Sequence, residues 1–305
     1  MMKKSNLGNS DLSVSPIALG CMSLGTEKKQ AASILDAAID LGINYLDTAD
    51  LYDAGRNEEL VGETIKQKRN QLVLATKVGN HLKQDGSWFW DPRKSYIKEQ
   101  VKTSLKRLQT DYIDLYQLHG GTIEDPIEET IEAFEELVQE GVVRYYGLSS
   151  IRPNVIQAYL QNSNIVSNMM QFSLLDRRPE EFLPVLAEHQ VSVVTRGSLA
   201  KGMISTKGLD IISKKGAEGY LDYEENELAE TVRSLIHLLA DGQTLTGLSL
   251  QYVLQQPAVT SAVVGASSPI QLEENVLALE QSFTAEQMEK VKKITKASTY
   301  QQHRE

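Results

Sequence analysis

The chain reads as an α/β protein, a closed (β/α)8 TIM barrel with a long loop and an extra helix after the seventh strand. Two observations predict this. Eight short runs of β-branched or aliphatic residues recur along the sequence, and amphipathic helical patterns alternate with them. Such alternation implies parallel strands joined by crossover helices, and eight units without a break favour closure over an open, doubly wound sheet. Length agrees: 305 residues, 41% of them hydrophobic, suffice for a large core, and barrels of this kind run long as one domain, here residues 1–305.

The predicted strands are residues 17–20, 43–47, 72–76, 113–118, 142–148, 165–170, 191–195 and 261–264. Apolar residues at helical spacing lie between them. Ile34, Ala38 and Leu41 mark the helix after the first strand, and Ile97, Val101, Leu105 and Leu108 the one after the third. Ile127, Ile131, Phe134 and Val138 follow the fourth strand. That helix is punctuated by Asp125 as cap, Pro126 at the first helical position, Glu128 at capping-box spacing and Gly141 as stop. The connection from residue 196 to 260 is much longer than the rest. It opens with the Gly- and Lys-containing loop "GSLAKGMISTKGLDIISKKGAEGY", then shows helical patterns at 228–240 and 246–255. A long loop in a compact domain is either a lid or binding loop, or a tolerated insertion.

Composition narrows the function. A net charge of −10 makes a nucleic-acid partner a poor match. Cys21 stands alone, so no internal disulfide forms. The N-terminus "MMKKSNLGNSDLSV" lacks the apolar core of a signal peptide, and no window approaches the ~18 apolar residues of a membrane span. A cytoplasmic protein with no membrane partner is expected. Histidines 81, 119, 189, 237 and 303 show no ligand spacing, so no metal is expected either.

Functional groups of such barrels gather at the C-terminal ends of the strands. Those ends read Gly20-Cys21-Met22, Asp47, Lys77, His119, Ser149-Ser150, Gln171, Arg196 and Gly265-Ala266-Ser267. Asp47, Tyr52, Lys77 and His119 form an ionisable set. Singly, each has a structural reading: a turn cap, a packed ring, a surface lysine, a core histidine. Together they have a chemical one. A phenol with a pKa near 10 gives up its proton reluctantly. A lysine cation beside it lowers that pKa, an aspartate steadies the lysine, and a histidine orients a substrate carbonyl.

At these residues the sequence resembles the aldo-keto reductase superfamily along essentially its whole length. "NYLDTADLY" resembles the family's Asp-Thr-Ala-…-Tyr signature, "LATKVG" its lysine strand and "DLYQLHG" its histidine strand. The resemblance implies a catalytic tetrad of Asp47, Tyr52, Lys77 and His119, with Tyr52 as general acid in the reduction of an aldehyde or ketone. It also implies NADP(H), bound in extended form across the barrel mouth, with Gly20, Met22 and Asp47 among the residues lining it. No Gly-x-Gly-x-x-Gly fingerprint or P-loop is present.

"GLSS" at 147–150 resembles the family's Gly-x-Ser-Asn, which implies that Ser149, Ser150 and Gln171 hold the nicotinamide carboxamide; Ser150 replaces the amide. "TRGSLAKG" resembles the aromatic-Ser-Pro-Leu turn, with Arg196 where an aromatic ring usually stacks. Gly197, Ser198, Leu199, Lys201, Gly202 and Lys207 would then lie near the pyrophosphate. "VVGASSPIQLEEN" resembles the adenine-side motif, matching Gly265, Ser267, Gln271, Glu274 and Asn275. No Lys or Arg occurs between Val259 and Val276, so NADP(H) is expected while NAD(H) stays open.

Trp88 and Trp90 flank Phe89 in the loop after the Lys77 strand. They either wall an apolar substrate pocket or pack on their own loop. Two other functions fit part of the sequence. A lyase with Lys77 as Schiff-base nucleophile leaves Tyr52 idle, and a cofactor-bound sensor or interaction subunit leaves the tetrad with little turnover.

Overall fold

A computed structural model describes residues 2–83 and 85–304. Eight parallel strands close into a barrel: β1 (Ile17–Gly20), β2 (Tyr45–Asp47), β3 (Val73–Val78), β4 (Ile113–Leu118), β5 (Val143–Leu148), β6 (Ser167–Gln171), β7 (Ser192–Arg196) and β8 (Val259–Gly265). Closure is made by β8 against β1, in a register that ends with Gly265 opposite Gly20. Several strands run beyond their aliphatic runs. Lys77, Gln171, Arg196 and Gly265 lie inside strands, because backbone pairing continues after the side chains turn polar.

Side chains alternate across each strand. Ala18, Tyr45, Val73, Ala75, Leu115, Met169 and Val194 form one buried apolar cluster with Leu7, Leu12 and Val14. The last three belong to an N-terminal hairpin, Ser5–Asn6 against Ser13–Val14, which closes the lower end of the barrel. Gly8 seals that contact at φ +56: its amide donates to Ser192 Oγ, and a Cβ would meet Val166 O at 2.1 Å. The opposite parity packs against the helices in a second, larger cluster. Each buried aliphatic side chain contributes about 1.5–3 kcal/mol, so these two shells rather than surface ion pairs hold the barrel.

The surrounding helices are α1 (Lys28–Asp40), α2 (Arg56–Ile65), α3 (Lys94–Leu108), α4 (Ile127–Gln139), α5 (Pro153–Asn162) and α6 (Leu183–Glu188). Between β7 and β8 come α7 (Gly208–Lys215), α8 (Glu225–Ile236) and α9 (Leu245–Leu254), followed after β8 by α10 (Pro269–Ala278) and α11 (Ala285–Ile294). Helix α7 lies in the segment read as loop, where Ile212 is its main buried anchor. The start of α4 also differs from expectation. Pro126 precedes the first helical residue, and Asp125 does not cap. Its carboxylate instead accepts from Thr122 N, Thr122 Oγ1 and Trp90 Nε1. Trp90 belongs to a second hairpin, Asn80–Leu82 against Trp88–Trp90, that follows β3 over the barrel mouth.

Candidate active site

The inward parity that fills the barrel continues upward into polar residues. Gly20, Asp47, Lys77, Gln171 and Arg196 each stand two residues beyond a core residue: Ala18, Tyr45, Ala75, Met169 and Val194. His119 and Ser149 stand four beyond Leu115 and Tyr145, and Gly265 two beyond Val263. One face of the pleat therefore delivers a mouth residue from every strand.

The centre of this layer is a buried ion pair. Lys77, 1% exposed, donates from Nζ to Asp47 Oδ2 at 2.7 Å, to Thr48 O at 2.8 Å and to Tyr52 OH at 3.5 Å. Gln117 Nε2 donates to the other carboxylate oxygen of Asp47 at 3.4 Å. Burial pulls the lysine pKa down, but Asp47 first and Tyr52 second hold its ammonium above the ordinary lysine pKa. For Tyr52 the balance tips the other way. Burial raises the phenol, Lys77 pulls it down, and Asp47 pushes it up again, so the net shift is upward. The expected lowering by Lys77 is present but smaller than desolvation of the ring.

His119 meets Tyr52 edge to face, with ring centroids 6.0 Å apart. Burial, then Lys77 and Arg196, lower its pKa to about 3, so the imidazole is neutral at physiological pH. Its Nδ1 is buried without a hydrogen-bond partner among the described residues.

Tyr52 rides on an unusual loop. Asp53, Ala54 and Gly55 follow it at φ 49°, 53° and 90°, three left-handed residues in succession. Arg107 Nη1 donates to Asp50 O and to Glu58 Oε2, and Glu58 Oε1 accepts from Thr76 Oγ1. Glu58 and Arg107 belong to no motif of the sequence. Gln117 was signalled by a polar residue in the aliphatic run "IDLYQL", and Glu58 by a carboxylate on the apolar face of α2. Asp50 is buried too, beside Glu58 and Arg107.

The remaining expected residues line the rim. Ser150 is fixed by Asn168, which accepts from its amide and donates to its carbonyl, while its own Oγ accepts from Arg152 N. Gln171 is held between Arg196 and Asp176. Gly197 turns the chain at φ +68, Ser198 Oγ bonds Thr195 Oγ1, and Leu199 is half-buried. Lys201 and Lys207 are exposed and make no ion pair among the described residues, with Gly202 at φ +88 between them. Across the mouth, Gln271 Oε1 accepts from Ser267 N and Oγ at the start of α10. Glu274 is exposed, and Asn275 is buried with Nδ2 unpartnered among the described residues. Met22 is 67% exposed after β1.

The two tryptophans separate. Trp88 is 54% exposed. The ring of Trp90 covers Gly79 and Gly120, where a Cβ would come within 2.5 Å and 3.3 Å of it. Trp90 thus stands over Gly79 and Gly120, just past the ends of β3 and β4.

A (β/α)8 barrel with a buried Asp–Lys–Tyr contact and a neutral histidine at its mouth suits an oxidoreductase. The aldo/keto reductase family matches residues 16–296, and the chain belongs to it. It is 60% identical to the uncharacterized oxidoreductase YqkF of Bacillus subtilis (strain 168), over 99% of this chain and 100% of that one. The holo form of the aldo-keto reductase AKR11C1 from Bacillus halodurans is 56% identical and superposes with a TM-score of 0.94, covering 100% of both chains. A further relative is the NADH-specific methylglyoxal reductase of Escherichia coli (strain K12), 30% identical over 91% of this chain and 94% of that one.

Proposed function

We propose that the protein is a cytoplasmic, NADPH-dependent reductase of aldehyde or ketone carbonyls with Tyr52 as general acid. The observation that carries this reading is Lys77 Nζ in contact with both Asp47 and Tyr52, beside a neutral His119. When bound, a reduced nicotinamide supplies hydride to the carbonyl carbon.

The chain's own residues handle the oxygen. Tyr52 OH donates to it and releases its proton as negative charge builds there. Its raised pKa keeps the phenol protonated beforehand, and the Lys77 ammonium stabilises the tyrosinate left behind. Asp47 fixes the ammonium in place. His119, uncharged, hydrogen-bonds and orients the carbonyl. The Trp90 ring supports an apolar wall beside it, with Trp88 at the outer rim.

The residues fit a nicotinamide dinucleotide. Asn275 Nδ2 is a buried donor with no partner among the described residues, suited to an adenine nitrogen. Unpaired Lys201 and Lys207 suit the pyrophosphate, with the backbone of Gly197 through Gly202 beside it. Ser149, Ser150 and Gln171 suit the carboxamide, Gly20, Met22 and Arg196 the ring, and Gly265, Ser267, Gln271 and Glu274 the adenosine end.

A second reading, use of NADH, is favoured by the absence of Lys and Arg between Val259 and Val276, and by the name of the Escherichia coli relative. Titrations with NADPH and NADH side by side separate the two. The Schiff-base reading fits poorly, since Lys77 is already bonded to three oxygens and its pKa is raised rather than lowered.

The test of mechanism is Tyr52→Phe. Turnover should fall by about 10²–10⁴-fold while the NADPH Kd stays within about twofold. Wild-type rates in that variant would sink the proposal. Tight NADPH binding with no turnover of any carbonyl by the wild type would favour the sensor reading.

A further inference from the structure

Arg196 is the last residue of β7 and lies in register with Gln171, the last residue of β6. Its Nη1 donates to Gln171 Oε1 at 2.7 Å, and Gln171 Nε2 donates to Asp176 Oδ2 at 2.9 Å. Asp176 is fully buried, and Arg178 takes it with both arms, Nε to Oδ1 at 2.7 Å and Nη2 to Oδ2 at 2.8 Å. The row Arg196–Gln171–Asp176–Arg178 therefore holds two cations and one carboxylate, and the carboxylate is claimed by the inner arginine. Arg196 is exposed at the mouth and forms no ion pair among the described residues. A neutral amide fixes its position without cancelling its charge.

That charge reaches the reacting groups. On His119 it adds to burial and Lys77 in disfavouring the protonated ring. On Tyr52 it joins Lys77 in opposing burial. A hydride donor must stand in contact with a carbonyl held by these two residues. It therefore stands in the same field.

Resting on the function proposed above, we infer that Arg196 biases the site toward reduced nicotinamide, by repelling the positive charge that the ring gains on oxidation. A dihydronicotinamide ring is neutral and escapes this repulsion. Two like charges separated by a contact or two at a protein surface change binding on the order of tenfold. The overall reaction equilibrium is untouched. What changes is occupancy: the reduced dinucleotide is held and the oxidised one released, which suits an enzyme running toward the alcohol.

The experiment is a fluorescence titration of the full-length protein with NADPH, NADP+, NADH and NAD+, repeated on Arg196→Met and Arg196→Lys. For whichever pair binds, the wild-type ratio of oxidised to reduced Kd should fall about tenfold in Arg196→Met and persist in Arg196→Lys. The gap between wild type and Arg196→Met should shrink as salt rises, because exposed charges are screened. An unchanged ratio in Arg196→Met, or equal weakening of both forms, overturns this inference and leaves the proposed function standing. Failure of every dinucleotide to bind the wild type overturns both. Arg196→Gln repeats the charge removal with a polar side chain, so a local packing effect of methionine is separated from the electrostatic one.

Discussion

Arg107 is wedged against Gly55: a Cβ at Gly55 would lie 2.1 Å from the guanidinium carbon. The same arginine donates to Asp50 O at 3.4 Å and Glu58 Oε2 at 3.3 Å, and Glu58 reaches Thr76, the neighbour of Lys77. The loop that carries Tyr52 is thereby tied to the strand that carries Lys77.

Gly55→Ala should test that tie. At φ +90 the added methyl is strained, and it also displaces Arg107. Stability should fall by about 1–3 kcal/mol, read as a drop in Tm. Turnover should fall as well, because Tyr52 shifts relative to Lys77. Full kcat in the folded variant would show that the tie does not position Tyr52.

Lys77→Met should leave the Asp47 carboxylate buried without its cation, at a cost of about 3–5 kcal/mol. Adding Asp47→Asn should recover much of that stability and none of the turnover. Denaturant melts paired with steady-state rates check both halves. Recovery of turnover in the double variant would remove the ion pair from the mechanism.

Asp50 gives a pH signature. Burial, with Glu58 nearby, raises its pKa from 3.8 to about 8. Between those values the folded chain keeps a proton that the unfolded chain has lost. The stability linked to that proton is thus complete below about pH 4 and is lost as pH rises through about 8, by at most ~1.4 kcal/mol per pH unit. Asp50→Asn does not titrate. Its advantage over wild type should widen from pH 5 to pH 8 and level off above. A gap constant with pH would mean that Asp50 is ionised throughout.

Trp90→Ala should open the wall over Gly79 and Gly120. KM for apolar carbonyls should rise about tenfold with the NADPH Kd unchanged. An equal change for small hydrophilic carbonyls would argue that Trp90 merely packs the hairpin.

The barrel was legible because strand and helix periods alternate without interruption, and the mouth residues were legible because they end aliphatic runs. What escaped has physical causes. Helix α7 is eight residues long, begins on Gly208 and stops at Gly216, so its apolar contacts barely outline a period. Asp125 sits at capping spacing yet serves Trp90, a contact set by a hairpin that sequence spacing does not reveal. The net rise of the Tyr52 pKa depends on depth of burial, which no motif encodes. Glu58 and Arg107 act through a loop of left-handed residues. Of these only Gly55 is of a type that announces such geometry.

The alternation that carries Ala18, Tyr45, Ala75, Met169 and Val194 into Gly20, Asp47, Lys77, Gln171 and Arg196 divides each column of the barrel into a dry lower storey and a reactive upper one. Substitutions in the upper storey can change what is bound or reduced while the foundations stay intact. A single-residue insertion within a strand is different, because it turns the column inside out and exchanges both storeys at once. New specificities on this scaffold should therefore arise by replacement at the top of the strands and by growth of the loops above them, and seldom by a change in strand length.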